Sequence, residues 1–289
     1  MIEMIKRFLL NQKTWGILLG EDLNNLKKIP QPFWVGRADP FIYVNKDKYY
    51  ILFEEINIFS RIGKICVAEV CNYKLKNKKT LLRKRTHVSF PHLFQNKKNY
   101  IIPETHQEGK VELYEYDFDN QKLTFIRNIL DNVECVDSIM LYRDKKYWLI
   151  TTEKNSSNDF DKLNIYFTND LLKGKFQPHQ LNPLYSNKKK SRNAGSIFFS
   201  NNGIYRVTQD CEGEYGKSVS LNKIDLINAT EYLEGESELI NIMGNKSNNH
   251  TFNVCDNIIV SDYKFKISNP LIIGILFFKR IIQKIRMMN

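Results

Sequence analysis

Residues 89–106 read SFPHLFQNKKNYIIPETH, and this stretch decides the fold. An apolar segment (91–95) meets a polar turn (96–99), and a second apolar segment (100–103) returns to end in an acid, Glu104. β-branched and aromatic residues flanking a short Asn/Lys turn predict a β-hairpin. The same design stands earlier as ADPFIYVNKDKYYILFEE (38–55) and later as VDSIMLYRDKKYWLITTE (136–153) and AGSIFFSNNGIYRVTQD (194–210). A degenerate fifth copy, HTFNVCDNIIVSDY, occupies 250–263. With Asp39, Pro91, Asp137, Gly195 and His250 taken as equivalent, the steps are 52, 46, 58 and 55 residues. A hairpin recurring at about 50 residues marks a propeller or a similar array.

Outward from each hairpin, further strand-like runs follow at 63–70, 110–116, 163–168 and 217–224. Each copy then offers about four strands, the number a propeller blade requires. The expected fold is all-β, a five-bladed β-propeller with a short C-terminal amphipathic helix. Its expected divisions are a possibly helical segment 1–13, the propeller at 14–265 and the basic helix at 266–289. The lone strand TWGILL (14–19) is expected to complete the last blade and so remove a bare sheet edge.

Composition narrows the function classes. Hydrophobic residues make up 42% of 289, enough for a sizeable core and too many for disorder. A net charge of +11 favours anionic partners, whether lipid headgroups or phosphorylated small molecules. Much of it lies in KLKNKKTLLRKR (74–85) and KKKSR (188–192). No nucleic-acid-binding signature accompanies that charge, so no nucleic-acid partner is expected. Five cysteines without a CxxC pair suggest neither disulfides nor zinc, and a reducing, cytoplasmic setting. The start, MIEMIKRFLLNQK, lacks the long apolar core and small-residue cleavage site of a secretory signal. The histidine spacing offers no metal motif, and no P-loop, GxGxxG, GxSxG or DxD occurs, so neither metal nor cofactor is expected.

Beyond Pro270 the chain changes character. An apolar run at 271–278 precedes KRIIQKIR (279–286). On a helix, Phe278, Ile281, Ile282 and Ile285 share one face and the cations take the other. The run is too short to span a bilayer. Residues 268–289 are therefore expected to lie on an anionic membrane surface, on the inner face of the plasma membrane. A helix packed on its own domain or on a second copy is the alternative.

Innermost strands of a propeller line a central channel, and their ends converge on one mouth. Polar residues that recur in the hairpins should meet there. Asp39, Glu104 and Asp137 are the candidate catalytic carboxylates, because a sugar's anomeric carbon needs one carboxyl to move a proton and another to support charge. Asp137 also stands within an apolar run, where an acid is costly unless it faces a wet channel. Glu55, His92, Arg192, Gln209, Asp210 and His250 are the candidate substrate-binding residues. Glu54 and Glu55 alternate along one strand, so at most one of them faces the channel.

The ordered series ADPF, FEE, SFPHLF, PET, VDSIML, RNAGSIF, QDC, YG and HTFN (38–253) resembles a known family. It is similar to the propeller domain at the N-terminus of plant glucosamine inositolphosphorylceramide transferases and in bacterial polysaccharide-biosynthesis proteins. More distantly it resembles five-bladed glycosidases of the family 43 type. The resemblance covers about residues 14–263 and implies a role in building glycans. In the glycosidases, carboxylates of the first three blades carry catalysis; Asp39, Glu104 and Asp137 are the positions that could match, although their flanking residues are not the glycosidase signatures. The function expected is a glycosyltransferase for bacterial cell-surface polysaccharide. It would move a sugar from a phosphate-activated donor to a glycan or lipid-linked acceptor. A family 43-like hydrolase and a non-catalytic sugar-binding scaffold are the alternatives.

Overall fold

The protein is described by a computed structural model covering residues 12–245 and 248–286. The expected segment 1–13 lies outside the described residues except for its last two positions. Strands account for 58% of the chain and form five antiparallel sheets arranged as the blades of a propeller. From centre to rim, blade one is Val35–Asn45, Lys48–Asn57, Gly63–Cys71 and Lys74–Leu82. Blade two is Ser89–Asn96, Lys98–Thr105, Lys110–Asp117 and Lys122–Asp131. Blade three runs through Cys135–Arg143, Lys146–Lys154 and Phe160–Thr168 to the short Gln177–Pro178 and Tyr185–Ser186.

Blade four begins with a broken inner strand, Arg192–Asn193 and Phe198–Ser200, followed by Gly203–Asp210, Ser218–Ile227 and Tyr232–Leu239. The break sits where blade five presses in. Phe252 N–H donates to Ala194 O at 2.7 Å, and a Cβ on Gly195 would lie 2.1 Å from Phe252 O. Blade five is Phe252–Cys255, Ile258–Lys266, Lys13–Gly20 and Lys27–Lys28. Lys13–Gly20 pairs with Ile258–Lys266 from Lys13↔Lys266 to Gly20↔Ile259, so the N-terminal strand closes the ring.

Local chemistry explains the hairpins. Lys46–Asp47, Asn72–Tyr73 and Asp144–Lys145 are two-residue turns with both residues at positive φ, the geometry whose twist matches the flanking strands. In blades one to three the inner strand also carries a bulge at one level, between Ala38 and Phe41, Ser89 and His92, and Val136 and Ile139. Asp39, Phe90 and Asp137 occupy those bulges at φ 50°, 44° and 51°. The true equivalent in blade two is therefore Phe90, one residue before the Pro91 chosen from sequence. Bulges turn side chains out of the regular alternation. Here they aim Asp39 and Asp137 into the mouth cavity, whereas Phe90 packs into the core against Phe41.

The core runs between blades, with Phe41, Leu52, Phe90, Ile139 and Trp148 in its main cluster. After blade five, Asn269 caps a helix, Pro270–Arg286, by accepting the Leu271 N–H at 3.1 Å, while Pro270 supplies a first-turn residue that needs no donor. Ile272 and Leu276 pack on Ile58 and Ile267, so the first two turns dock on the propeller. Phe278 and Ile282 are exposed, and the side chains of Ile281 and Ile285 lie outside the described residues.

Candidate active site

The bulged ends of the inner strands and the returning second strands enclose a cavity of about 190 Å³ at one mouth of the channel. Asp39, Glu54, Glu104, Asp137, Arg192 and His250 line it, together with Trp15, His87 and Tyr215. All three sequence-predicted carboxylates, from three different blades, thus meet. Strand register puts the glutamates there. Glu54 pairs with Ala38 and Glu104 with Ser89, each opposite the residue just before a bulge. Both stand seven positions beyond the last residue of their hairpin turn, Asp47 and Lys97.

Each acid has a basic neighbour. Asp39 accepts from Phe90 N–H (3.1 Å) and the Thr251 hydroxyl (2.9 Å), with His250 Nε2 at 3.1 Å. His250 Nδ1 reaches Asp262 at 2.8 Å. Burial opposes charge on Asp39, but His250 and the hydrogen bonds outweigh it and hold the carboxyl below its ordinary value. Burial likewise opposes charge on His250, and the two flanking aspartates raise it well above the usual imidazole range. Asp39, His250 and Asp262 could at first sight hold a cation. In the structure both ring nitrogens face carboxylates, Nε2 towards Asp39 and Nδ1 towards Asp262, and the ring bridges the two acids. Trp15 packs on that ring at 4.0 Å between centroids. Tyr215 approaches the same ring at 5.2 Å and also meets Trp15; next to it Gly216 stands at φ 63°, where a Cβ would lie 2.7 Å from His250 Cβ.

Glu54 and His87 form a second pair at 2.9 Å. Burial pushes Glu54 up to about 7, and Glu54 in turn raises His87 to about 9 against its own desolvation. Glu104 and Asp137 adjoin one another: Asp137 N–H donates to Glu104 at 3.2 Å. Burial pushes Asp137 up to about 6 although Arg192 Nε lies 2.6 Å away, and the neighbouring Glu104 adds to the rise. Burial would raise Glu104 too, but the His106 imidazole at 2.8 Å and Arg192 hold it below its ordinary value. The cavity therefore combines carboxyls poised to keep a proton near neutrality with carboxylates held ionised, the combination that acid–base chemistry uses.

Four expectations need correction in position. Glu55 points away from the cavity, to Lys78 (2.5 Å), Lys64 (3.2 Å) and Arg37 (3.4 Å), because the alternation of the strand sends only Glu54 inward. His92 lies past the bulge, toward the other end of the channel. It lines a separate cavity, accepts the Met140 N–H on Nε2 at 3.0 Å and is kept neutral by burial, with a value near 3. Asp210 bonds the Glu212 N–H at 2.7 Å and pairs with Lys217 instead of lining the cavity. Gln209 stands behind the site, donating to Asp137 at 3.3 Å and to Asn193 O at 3.0 Å. The sequence reading passed over Trp15, His87, Ser89 and Tyr215. Only Glu54 had a usable signal, its seven-residue distance from a turn.

Residues 27–258 match the family described as glucosamine inositolphosphorylceramide transferase 1, N-terminal. The chain belongs to this family. It is 32% identical over 208 residues to glucosamine inositolphosphorylceramide transferase 1 of Arabidopsis thaliana, and 29% identical over 204 residues to that of Oryza sativa subsp. japonica. These alignments cover 69% and 68% of this chain, and 27% of each relative's length. Among solved structures, an exo-β-1,3-galactanase from Clostridium thermocellum superposes with a TM-score of 0.55 at 12% identity, over 78% of this chain and 55% of that one. A glycosyl hydrolase from Bacteroides ovatus gives 0.56 at 8% identity, over 82% and 86%. At such identities the likeness concerns the fold alone. Family membership and the propeller agree with the resemblance read from the motifs.

Proposed function

We propose that this propeller is a carbohydrate-active transferase whose mouth cavity binds one sugar ring and moves it from a phosphate-activated donor to a glycan or lipid-borne acceptor. The observation that carries this reading is the convergence of Asp39, Glu54, Glu104 and Asp137 on one cavity with two members raised toward neutrality and two held ionised. A cavity of this size suits a single ring better than a chain of sugars. Asp39 is the base for the acceptor hydroxyl, Glu54 or Asp137 holds the proton, and Arg192 meets donor phosphate with its nitrogens not spent on Asp137. The expected bacterial surface-polysaccharide setting has no counterpart in the plant relatives. A lipid-borne acceptor is common to that expectation and to the inositolphosphorylceramide in the relatives' name.

The test is transfer by the purified chain from candidate nucleotide-sugar donors to a lipid-linked acceptor. Asp39→Asn should abolish product, and an unchanged rate in that variant would remove Asp39 from the mechanism. A second reading is favoured by one observation: every cavity acid is already paired with a protein base. It is a sugar-binding module that serves chemistry performed elsewhere in a longer protein. Glycan binding without turnover, surviving substitution of Asp39, Glu104 and Asp137 together, would select that reading over transfer.

A further inference from the structure

The C-terminal helix and the cavity mouth occupy the same end of the propeller. Ile56 lines the cavity, and Ile58, two residues on, receives Ile272 and Leu276 of the helix. Trp15 also lines the cavity, and Gln12 O just before that strand accepts the Ile267 N–H at 2.8 Å. With its buried side spent on Ile58, the helix leaves Leu271, Ile275, Phe278 and Ile282 exposed by 69, 39, 67 and 50%. Their spacing of four, three and four residues makes one continuous stripe. Phe33 and Trp34 add an exposed aromatic pair next to it, since Trp34 O accepts the Ile58 N–H at 3.2 Å.

Cations frame this surface. Lys279 borders the stripe, its Nζ also reaching Phe59 O at 3.4 Å, and Arg280 is exposed on the opposite face of the helix. Both basic segments noted in the sequence also reach this end. Strand Lys74–Leu82 finishes beside Ile65, which pairs with cavity residue Glu54, so exposed Arg83 and Arg85 follow at the mouth. Lys188 and Lys189 stand four and three residues before Arg192, on the surface and paired with Asp159 at 2.8 Å and Glu212 at 3.1 Å. Apolar and aromatic side chains ringed by Lys and Arg match the boundary of an anionic bilayer, with Trp suited to headgroup depth. A second copy of this chain would meet the same cations with its own, whereas acidic headgroups complement them. Among the described residues no helix is long and apolar enough to cross a membrane, so the contact is with its surface.

We infer that the mouth face of the propeller seats on an anionic lipid bilayer and so takes a lipid-borne headgroup, not a free glycan, into the cavity. The second half of that statement rests on the transferase reading of the site. The full chain should pellet with phosphatidylcholine vesicles containing phosphatidylglycerol and not with phosphatidylcholine alone, and added salt should release it. Each cation near such a surface is worth about fivefold in affinity, so Arg83→Ser with Arg85→Ser should lower binding roughly 25-fold. Phe278→Ser with Ile282→Ser should weaken it at least as much, with far-ultraviolet circular dichroism unchanged. Equal pelleting on both vesicle types, or wild-type pelleting by both variants, overturns the proposal. So does a dimer that Phe278→Ser dissociates, because the stripe would then belong to a second copy. Asp39→Asn separates the two readings: normal vesicle binding with unchanged transfer would sink the site mechanism and leave the docking face standing.

Discussion

Two arginine–carboxylate pairs, whose arginines lie on neighbouring strands of blade four, behave differently. Arg206 and Glu234 are sealed inside the blade. Arg206 donates to Glu234 at 2.5 and 2.9 Å, to Asn193 Oδ1 at 3.0 Å, to Lys190 O at 2.9 Å and to the Tyr185 hydroxyl. Glu234 also accepts from Tyr232 at 2.5 Å and Tyr185 at 2.7 Å, which together with Arg206 hold it below its ordinary value against burial. The other pair, Arg192 and Asp137, borders the cavity; burial lifts Asp137 to about 6, and a second acid, Glu104, adds to the rise. Burial is shared by both pairs. Saturation of every donor and acceptor makes the first a strut, and an added like charge beside an open cavity makes the second a candidate for chemistry. The strut serves the site, because Asn193, held by Arg206, donates to Asp137 O at 2.6 Å.

Breaking the strut should have the largest effect. Arg206→Ala leaves Glu234 charged and buried and should cost about 3–5 kcal/mol in a urea melt, enough to unfold a marginal domain. Replacing both partners, Arg206→Met with Glu234→Leu, should recover much of that loss; no recovery would mean that the pair does more than satisfy itself. At the cavity the contrast should invert. Asp137→Asn keeps an acceptor for Arg192 and should leave the urea midpoint near wild type. If the transferase reading holds, the rate should fall by roughly 10²–10⁴-fold, the usual contribution of a positioned acid or base. A variant that is unstable yet active would assign Asp137 to structure.

The fold was legible because the hairpin is written four times nearly whole, with turn residues at matching offsets. Asp39, Glu104 and Asp137 were legible because acids recur where apolar runs end. What sequence could not supply was the bulge. One inserted residue reverses which side chains beyond it face the axis, so His92 was assigned to a cavity it does not line; Glu55 was misplaced because the alternation of its strand does not by itself say which of two adjacent acids turns inward. His87 and Tyr215 sit on loops whose paths depend on tertiary packing, and no periodicity marks them. The tail's apolar and basic composition was plain, whereas its docking side was set by Ile58, more than two hundred residues away in sequence, together with the adjoining Ile267.

A second contrast is between two histidine–carboxylate pairs. His250 lies between two aspartates, one of them held ionised, whereas His87 faces Glu54 alone. Glu54 titrates near 7 in the folded chain against an ordinary value of 4.5, so the native state binds the extra proton between those values and stability falls as pH rises through that window. His87, raised from 6.5 to about 9, contributes stability that is complete below 6.5 and lost as pH rises through 9. Both slopes have the same sign. Urea melts from pH 4.5 to 9 should show a loss on the order of 1–3 kcal/mol that Glu54→Gln flattens. An identical slope in the variant would mean that the pair is not the source.

The smallest effect should come from Glu55, and it bears on which of two adjacent acids faces the sugar. Glu55 shares Glu54's strand and, against burial, is held below its ordinary value by Lys78 and Arg37. Its three cations lie on the outer side of the strand, two of them partly in solvent, so screening weakens the cluster. Glu55→Gln retains the hydrogen-bond acceptor and should cost about 1 kcal/mol in stability. Transfer should stay within about twofold of wild type, because the substituted carboxyl never touches the cavity. A loss of activity comparable to that of Asp137→Asn, without a matching loss of stability, would mean that the strand presents its other face to the sugar. The alternation that places Glu54 and Glu104 at the mouth would then be wrong, and with it the assignment of the site.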